Sequence, residues 1–144
     1  MVDDHGDEDR DDLDVINLRL PADGRYSRVA RVAASAVAIR LGFESDAIED
    51  LRIAVDEALI LLLRRTHAPA WADHQALDPS SLDLVFEARP ASLQVSLALD
   101  PAPVPTDPHR DDLDALHRFG ELLPARIEAL RVAPAEGVVS LALR

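Results

Sequence analysis

Apolar positions along this chain follow two rhythms, one helical and one alternating. Over residues 50–65, DLRIAVDEALILLLRR, the residues Leu51, Ala54, Val55, Ala58, Leu59 and Leu62 recur at helical spacing, which predicts a core helix with one buried stripe. Asp56 and Glu57 interrupt that stripe. Carboxylates are seldom buried without a partner, so Glu57, beside Ile53, Ile60 and Leu61, either borders a pocket or is held by an arginine such as Arg64. A second helix is predicted over 26–41, with Val29, Val32, Ala33, Ala36 and Val37 inward, Arg28, Arg31 and Arg40 at the surface, and Gly42 as its C-terminal cap. Ser45 or Asp46 is placed to cap the helix that follows.

Alternation marks the strands. Residues 15–20 read as a first strand ending at Pro21. Residues 81–88 and 92–99 read as a pair, with Leu82, Leu84 and Phe86 on one face and Arg89-Pro90-Ala91 as the turn. Pro124 suits the first turn of a helix running to about Leu130, and Glu136-Gly137 reads as the turn before a last strand over 138–143. Residues 67–80 carry loop residues without a clear period, with Trp71 as a small packing anchor.

Composition narrows the chemistry. A chain of 144 residues with 48% apolar composition fits one domain with a core of its own. There is no cysteine, which removes disulfides, thiolate zinc sites and thiol nucleophiles. All fifteen basic residues are arginine, so phosphate-binding and Schiff-base lysines are excluded, and the alanine- and arginine-rich usage points to a G+C-rich bacterial genome. Residues 1–14 hold eight acidic side chains against Arg10, within a net charge of -12. We expect residues 1–13 to form a disordered acidic tail and residues 14–144 to form the domain. A pI near 4.6 disfavours direct nucleic-acid binding and makes a basic protein the more natural partner. The start of the chain is no signal peptide, and no apolar run approaches the roughly 18 residues of a membrane span, so a soluble cytoplasmic protein is expected.

The remaining candidates are weak. His5, His67, His74, His109 and His117 show no close metal-ligand spacing, and no metal site is expected. Ser27, Ser35 and Ser45 sit in no G-x-S-x-G context. Asp111, Asp112 and Asp114 read as helix-start charges, since the glycine and terminal glutamate of a calcium loop are missing.

In the 50–65 helix the chain resembles the anti-sigma factor serine kinases (RsbW-type) of the GHKL superfamily, which includes gyrase and the histidine-kinase ATPase domains. That family's helix reads roughly L-x-x-A-V-x-E-A-x-x-N; Leu51, Ala54, Val55, Glu57 and Ala58 match it, and Leu61 stands where the asparagine belongs. The resemblance implies an α+β, Bergerat/GHKL-like two-layer sandwich, with a mixed or antiparallel sheet covered on one face by helices in the order β, α, α, β, β, α, β, β. It also implies that Glu57 sits where the family positions or activates the attacking group, and that the lost amide would have helped hold Mg²⁺. Leucine offers a hard cation no oxygen.

The family's phosphate-side loop D-x-G-x-G corresponds to Asp100-Pro101-Ala102-Pro103-Val104-Pro105. Asp100 keeps the adenine-contacting position, while both glycines are replaced and three prolines stiffen the strap. Gly120 alone stands near the family's second glycine-rich box, and as a lone glycine it reads equally as a turn before the helix. With three nucleotide-binding features damaged, phosphoryl transfer loses its positioning and electrostatic terms, so no cofactor is expected beyond weak ATP or ADP binding through Asp100. The implied function is an anti-sigma factor that sequesters a sigma factor by direct binding, as a homodimer, and is released by an anti-anti-sigma antagonist of the STAS type. The alternative is an active serine kinase of that antagonist. Arg31 matches the family's partner-contacting arginine, and Arg28, three residues earlier, shares its helical face.

Overall fold

The alternating segments assemble into one sheet. In the computed structural model, which describes residues 12–64, 81–103 and 110–144, the strands are β1 (Asp14–Pro21), β2 (Ser81–Arg89), β3 (Ser92–Asp100), β4 (Ile127–Ala133) and β5 (Val138–Leu143). Their order across the sheet is β1-β2-β3-β5-β4 and every neighbouring pair is antiparallel. Of the two arrangements expected, mixed and antiparallel, the second is observed. Leu82, Leu84 and Phe86 of β2, Leu93, Val95, Leu97 and Leu99 of β3, and Val139, Leu141 and Leu143 of β5 are buried on one face, as period-two alternation requires.

Helices cover that face, completing the α+β two-layer arrangement. They are α1 (Ser27–Arg40), α2 (Ser45–Leu63) and α3 (Arg110–Leu122). The α2 stripe is as read: Leu51, Ala54, Val55, Ala58, Leu59 and Leu62 are all buried, and Leu61, on the side where α3 packs, and Leu63 are buried with them. Glu44, and neither Ser45 nor Asp46, occupies the N-cap position of α2, without a side-chain cap bond. Asp46 sits instead in the first turn, where its carboxylate accepts the Ala47 N–H at 2.8 Å. The α1 helix ends as expected, with Gly42 at φ +83, a left-handed conformation glycine adopts at little cost.

The phase of α1 differs from the sequence reading. Ala30, Ala34 and Ala38 are fully buried, whereas Val29, Val32 and Ala36 are exposed and Ala33 and Val37 only partly covered. Alanines four residues apart form a flat strip that lets α1 lie close against α2, and a valine row facing inward would hold the two backbones apart. The second half of the chain departs too. Residues 127–130, expected within a helix running from Pro124 to about Leu130, instead begin edge strand β4 (Ile127–Ala133), paired with β5 through a register shift between Ala129 and Arg131. Helix-forming Glu128, Ala129 and Leu130 yield there to sheet pairing, a tertiary override of local propensity. The helix lies earlier, over Arg110–Leu122, with Asp111 and Asp112 in its first turn, so Gly120 is inside a helix and not in a turn before one. The order β, α, α, β, β, α, β, β survives these shifts.

The expected tail over 1–13, apart from Asp12 and Leu13, and the loop with Trp71 lie outside the described residues. Among the described residues no helix is long and apolar enough to cross a membrane.

Two stability predictions follow from these contacts. Ala34→Leu forces α1 off α2 and should cost about 1 to 3 kcal/mol in denaturant unfolding, while Ala36→Leu on the exposed side should cost little. The second concerns Arg126, which enters β4 and donates to Asp46 at 3.0 Å. That hydrogen bond, then the Ala47 N–H and the arginine charge, holds the Asp46 carboxyl below its ordinary value of 3.8. A depressed folded-state pKa gives stability that is complete above the unfolded value and lost as pH falls through the folded one. Asp46→Asn should therefore lower the unfolding midpoint at pH 7, and the gap to the parent should close as pH drops below that ordinary value.

Candidate functional site

Glu57 occupies the middle of α2, half-buried, on the wall of a cavity of about 340 Å³ between α2 and α3. Ile60, Leu61 and Arg64 line the α2 side; Asp114, Ala115, Arg118 and Phe119 line the α3 side. Of the two sequence readings the pocket border is the observed one. Arg64 turns to α3, donating to Asp112 Oδ1 at 3.3 Å and to the Asp111 carbonyl at 3.2 Å.

The surroundings of Glu57 do not fit a Mg²⁺-nucleotide. Leu61, at the position where the resembled family has its asparagine, is 5% exposed and forms part of the apolar core with Phe119, so hydrocarbon and no metal-binding oxygen stands there. Among the described residues no group of three metal-capable side chains converges. Asp100 stands elsewhere. It follows buried Leu99 at the end of β3, and by strand alternation its side chain points to the sheet face opposite the helices. There Arg19 of β1 binds Asp83 at 2.7 Å and Asp100 at 3.2 Å. The hydrogen bond to Asp83, first, raises the pKa of the Arg19 guanidinium above its already high ordinary value. Glu57 and Asp100 are thus not brought to one pocket, and the adenine contact expected of Asp100 meets a carboxylate already engaged by Arg19.

The strap after Asp100 is packed down at its described end. Leu99 N–H donates to the Gly137 carbonyl at 2.8 Å, and a Cβ built on Gly137, whose φ is +74, would lie 2.6 Å from Pro103 Cδ. Glycine is required at 137 by conformation and by this close approach. Val104 and Pro105 lie outside the described residues.

A second cluster lies on the outer surface of the helix layer. Arg28 is exposed; Arg31, expected at the surface, is only partly so, because its Nη1 donates to Asp56 Oδ1 of α2 at 3.1 Å. Beside it α1 presents Val32, 59% exposed, and Ile39, 62% exposed, and α2 presents Ile53 and Ile60. The helical pattern of α1 does not reveal Val32 on this surface, because its valine row reads as the inward one. The signal that would have found it is the competing alanine row at 30, 34 and 38.

Comparison with known proteins agrees in part of the sequence and in the fold. Serine-protein kinase RsbW of Oceanobacillus iheyensis is 48% identical over 46 residues, which is 32% of this chain and 29% of that protein. RsbW of Listeria innocua serovar 6a is 50% identical over 46 residues, again 32% and 29%; RsbW of Bacillus subtilis is 43% identical over 49, or 34% and 31%. The matched stretch thus spans less than a third of these relatives. No family model matches the chain. The crystal structure of the RsbU and RsbW domains of a Mycobacterium tuberculosis protein superposes with a TM-score of 0.52 at 13% identity, over 90% of this chain and 31% of that one, a likeness of fold.

Restoring the missing amide alone should fail. Leu61→Asn places an amide among apolar groups and should cost about 2 to 4 kcal/mol of stability. Titration with Mg²⁺-ATP should show no binding gained, since Asp100 still faces away from Glu57.

Proposed function

We propose that this chain, RsbW-type in the matched part of its sequence and in its fold, is a cytoplasmic anti-sigma factor that sequesters an RNA polymerase sigma factor by direct binding and transfers no phosphate. The observation that carries the reading is the motif helix: Glu57 and its flanking residues are kept, while the metal-holding position is Leu61, packed in the core. The kinase named in its relatives needs phosphates held by metal and backbone, because phosphoryl transfer rests on positioning and charge stabilisation. With those terms missing, binding remains, and α1 supplies the means: Arg28 and Arg31 beside exposed aliphatic side chains. On this reading an anti-anti-sigma antagonist of the STAS type competes for α1, the working unit is a homodimer, and the acidic chain makes no direct contact with nucleic acid.

Incubation with labelled ATP, Mg²⁺ and the co-purified antagonist should leave the antagonist unlabelled. A labelled serine that vanishes in Glu57→Ala establishes the kinase instead. Arg31→Ala should weaken sigma binding more than tenfold, about 1.4 kcal/mol, because a desolvated charged contact is lost. Thermal stability should change little, since a half-exposed ion pair contributes at most about 1 kcal/mol. Isothermal titration with the purified sigma factor reads the first quantity and a melting curve the second.

A further inference from the structure

We infer that Asp56 is a built-in competitor for the carboxylate of the protein partner: it occupies Arg31 in the free chain and must yield that arginine when the partner docks. The inference rests on the reading of α1 as the partner surface. It begins with charge. Helix α1 carries Arg28, Arg31 and Arg40 and no acidic residue, within a chain whose net charge is -12. Nothing on its own helix neutralises Arg31, so the counter-charge comes across the seam from α2, at 3.1 Å. Arg52, one turn before Asp56, is engaged with Glu49 at 3.2 Å.

The pair is reachable from solvent, with the Arg31 and Asp56 side chains 34% and 37% exposed. Pairs of this kind are screened and inexpensive to open. Exposed apolar side chains share the two helices with the pair. Ile53 and Ile60 lie three residues before and four after Asp56, on one side of α2, and Val32 and Ile39 stand out from α1. A charged centre with apolar shoulders is desolvated when a partner closes over it, as interface hot spots are.

The same observations select the occupant. A second copy placed α1 against α1 would bring arginine rows together, a like-charge arrangement that costs affinity. The chain's own acidic residues 1–13 include only Met1, Val2 and Leu13 as apolar side chains, too few to cover Val32, Ile39, Ile53 and Ile60. A partner segment with a carboxylate set between apolar side chains matches both the charge and the shoulders. When that carboxylate reaches Arg31, Asp56 remains beside it as a like charge. Asp56 therefore weakens the complex and keeps it reversible.

The test uses the full chain and the purified sigma factor. Asp56→Asn keeps the shape and removes the charge, and it should tighten binding about two- to fivefold at low ionic strength, with the gain shrinking as salt is added. Without partner, Arg31 should react faster with phenylglyoxal in Asp56→Asn than in the parent, mapped by mass spectrometry, and added sigma factor should suppress the reaction. Affinity unchanged or weakened in a folded Asp56→Asn, while Arg31→Ala still weakens binding, overturns the competitor role and leaves the proposed function standing. Affinity unchanged in Arg31→Ala overturns the partner surface itself. Melting curves establish folding, and Asp56→Ser replaces Asp56→Asn if the latter does not fold.

Discussion

Three alanines set the outer surface of this protein. Ala30, Ala34 and Ala38 are fully buried, one per turn of α1, and they bring that helix close to α2. A helix has only one rotational phase at a given contact strip, so burying the alanines turns Val29, Val32 and Ile39 outward and carries Arg31 to the seam facing Asp56. The apolar surface and the ion pair thus share one cause. Close packing leaves no freedom to improve one without disturbing the other.

On the opposite flank of α2, packing and chemistry exclude each other. A metal-holding side chain needs an open, polar position, and the C-terminal half of α2 has the reverse: Leu61, Leu62 and Leu63 are all buried, with Phe119 of α3 in the same core. Glu57 is only half-buried, at the cavity wall. The sheet repeats the separation. Residues after Leu99 alternate away from the helices, so Asp100 joins Arg19 and Asp83 in a surface network on the far face. The Arg31–Asp56 pair lies on the outer surface of the helix layer and Glu57 on the wall of the α2–α3 cleft, which Ile60, exposed on α2, also lines.

Much of the architecture was legible in the residue pattern. The buried stripe of α2, the alternating strands β2 and β3 and the glycine at the end of α1 all depend on neighbours a few positions apart, which the linear order displays. The strand at 127–133 was not legible, because its residues favour a helix in isolation and become a strand only by pairing with β5. The phase of α1 was ambiguous for a related reason: alanine and valine rows compete for the inward side, and the distance to α2 chooses between them.

By itself, then, the sequence determined the element types wherever a single period dominated, the absence of lysine and cysteine chemistry, and the family resemblance carried by Leu51, Ala54, Val55, Glu57 and Ala58. Tertiary structure decided which carboxylate each arginine meets: Asp56 for Arg31, Asp112 for Arg64, Asp83 and Asp100 for Arg19. The physical reason is range. Backbone periodicity is a local property, whereas an ion pair forms only between groups brought within a few ångströms, and residues 25 to 81 positions apart become neighbours through packing alone.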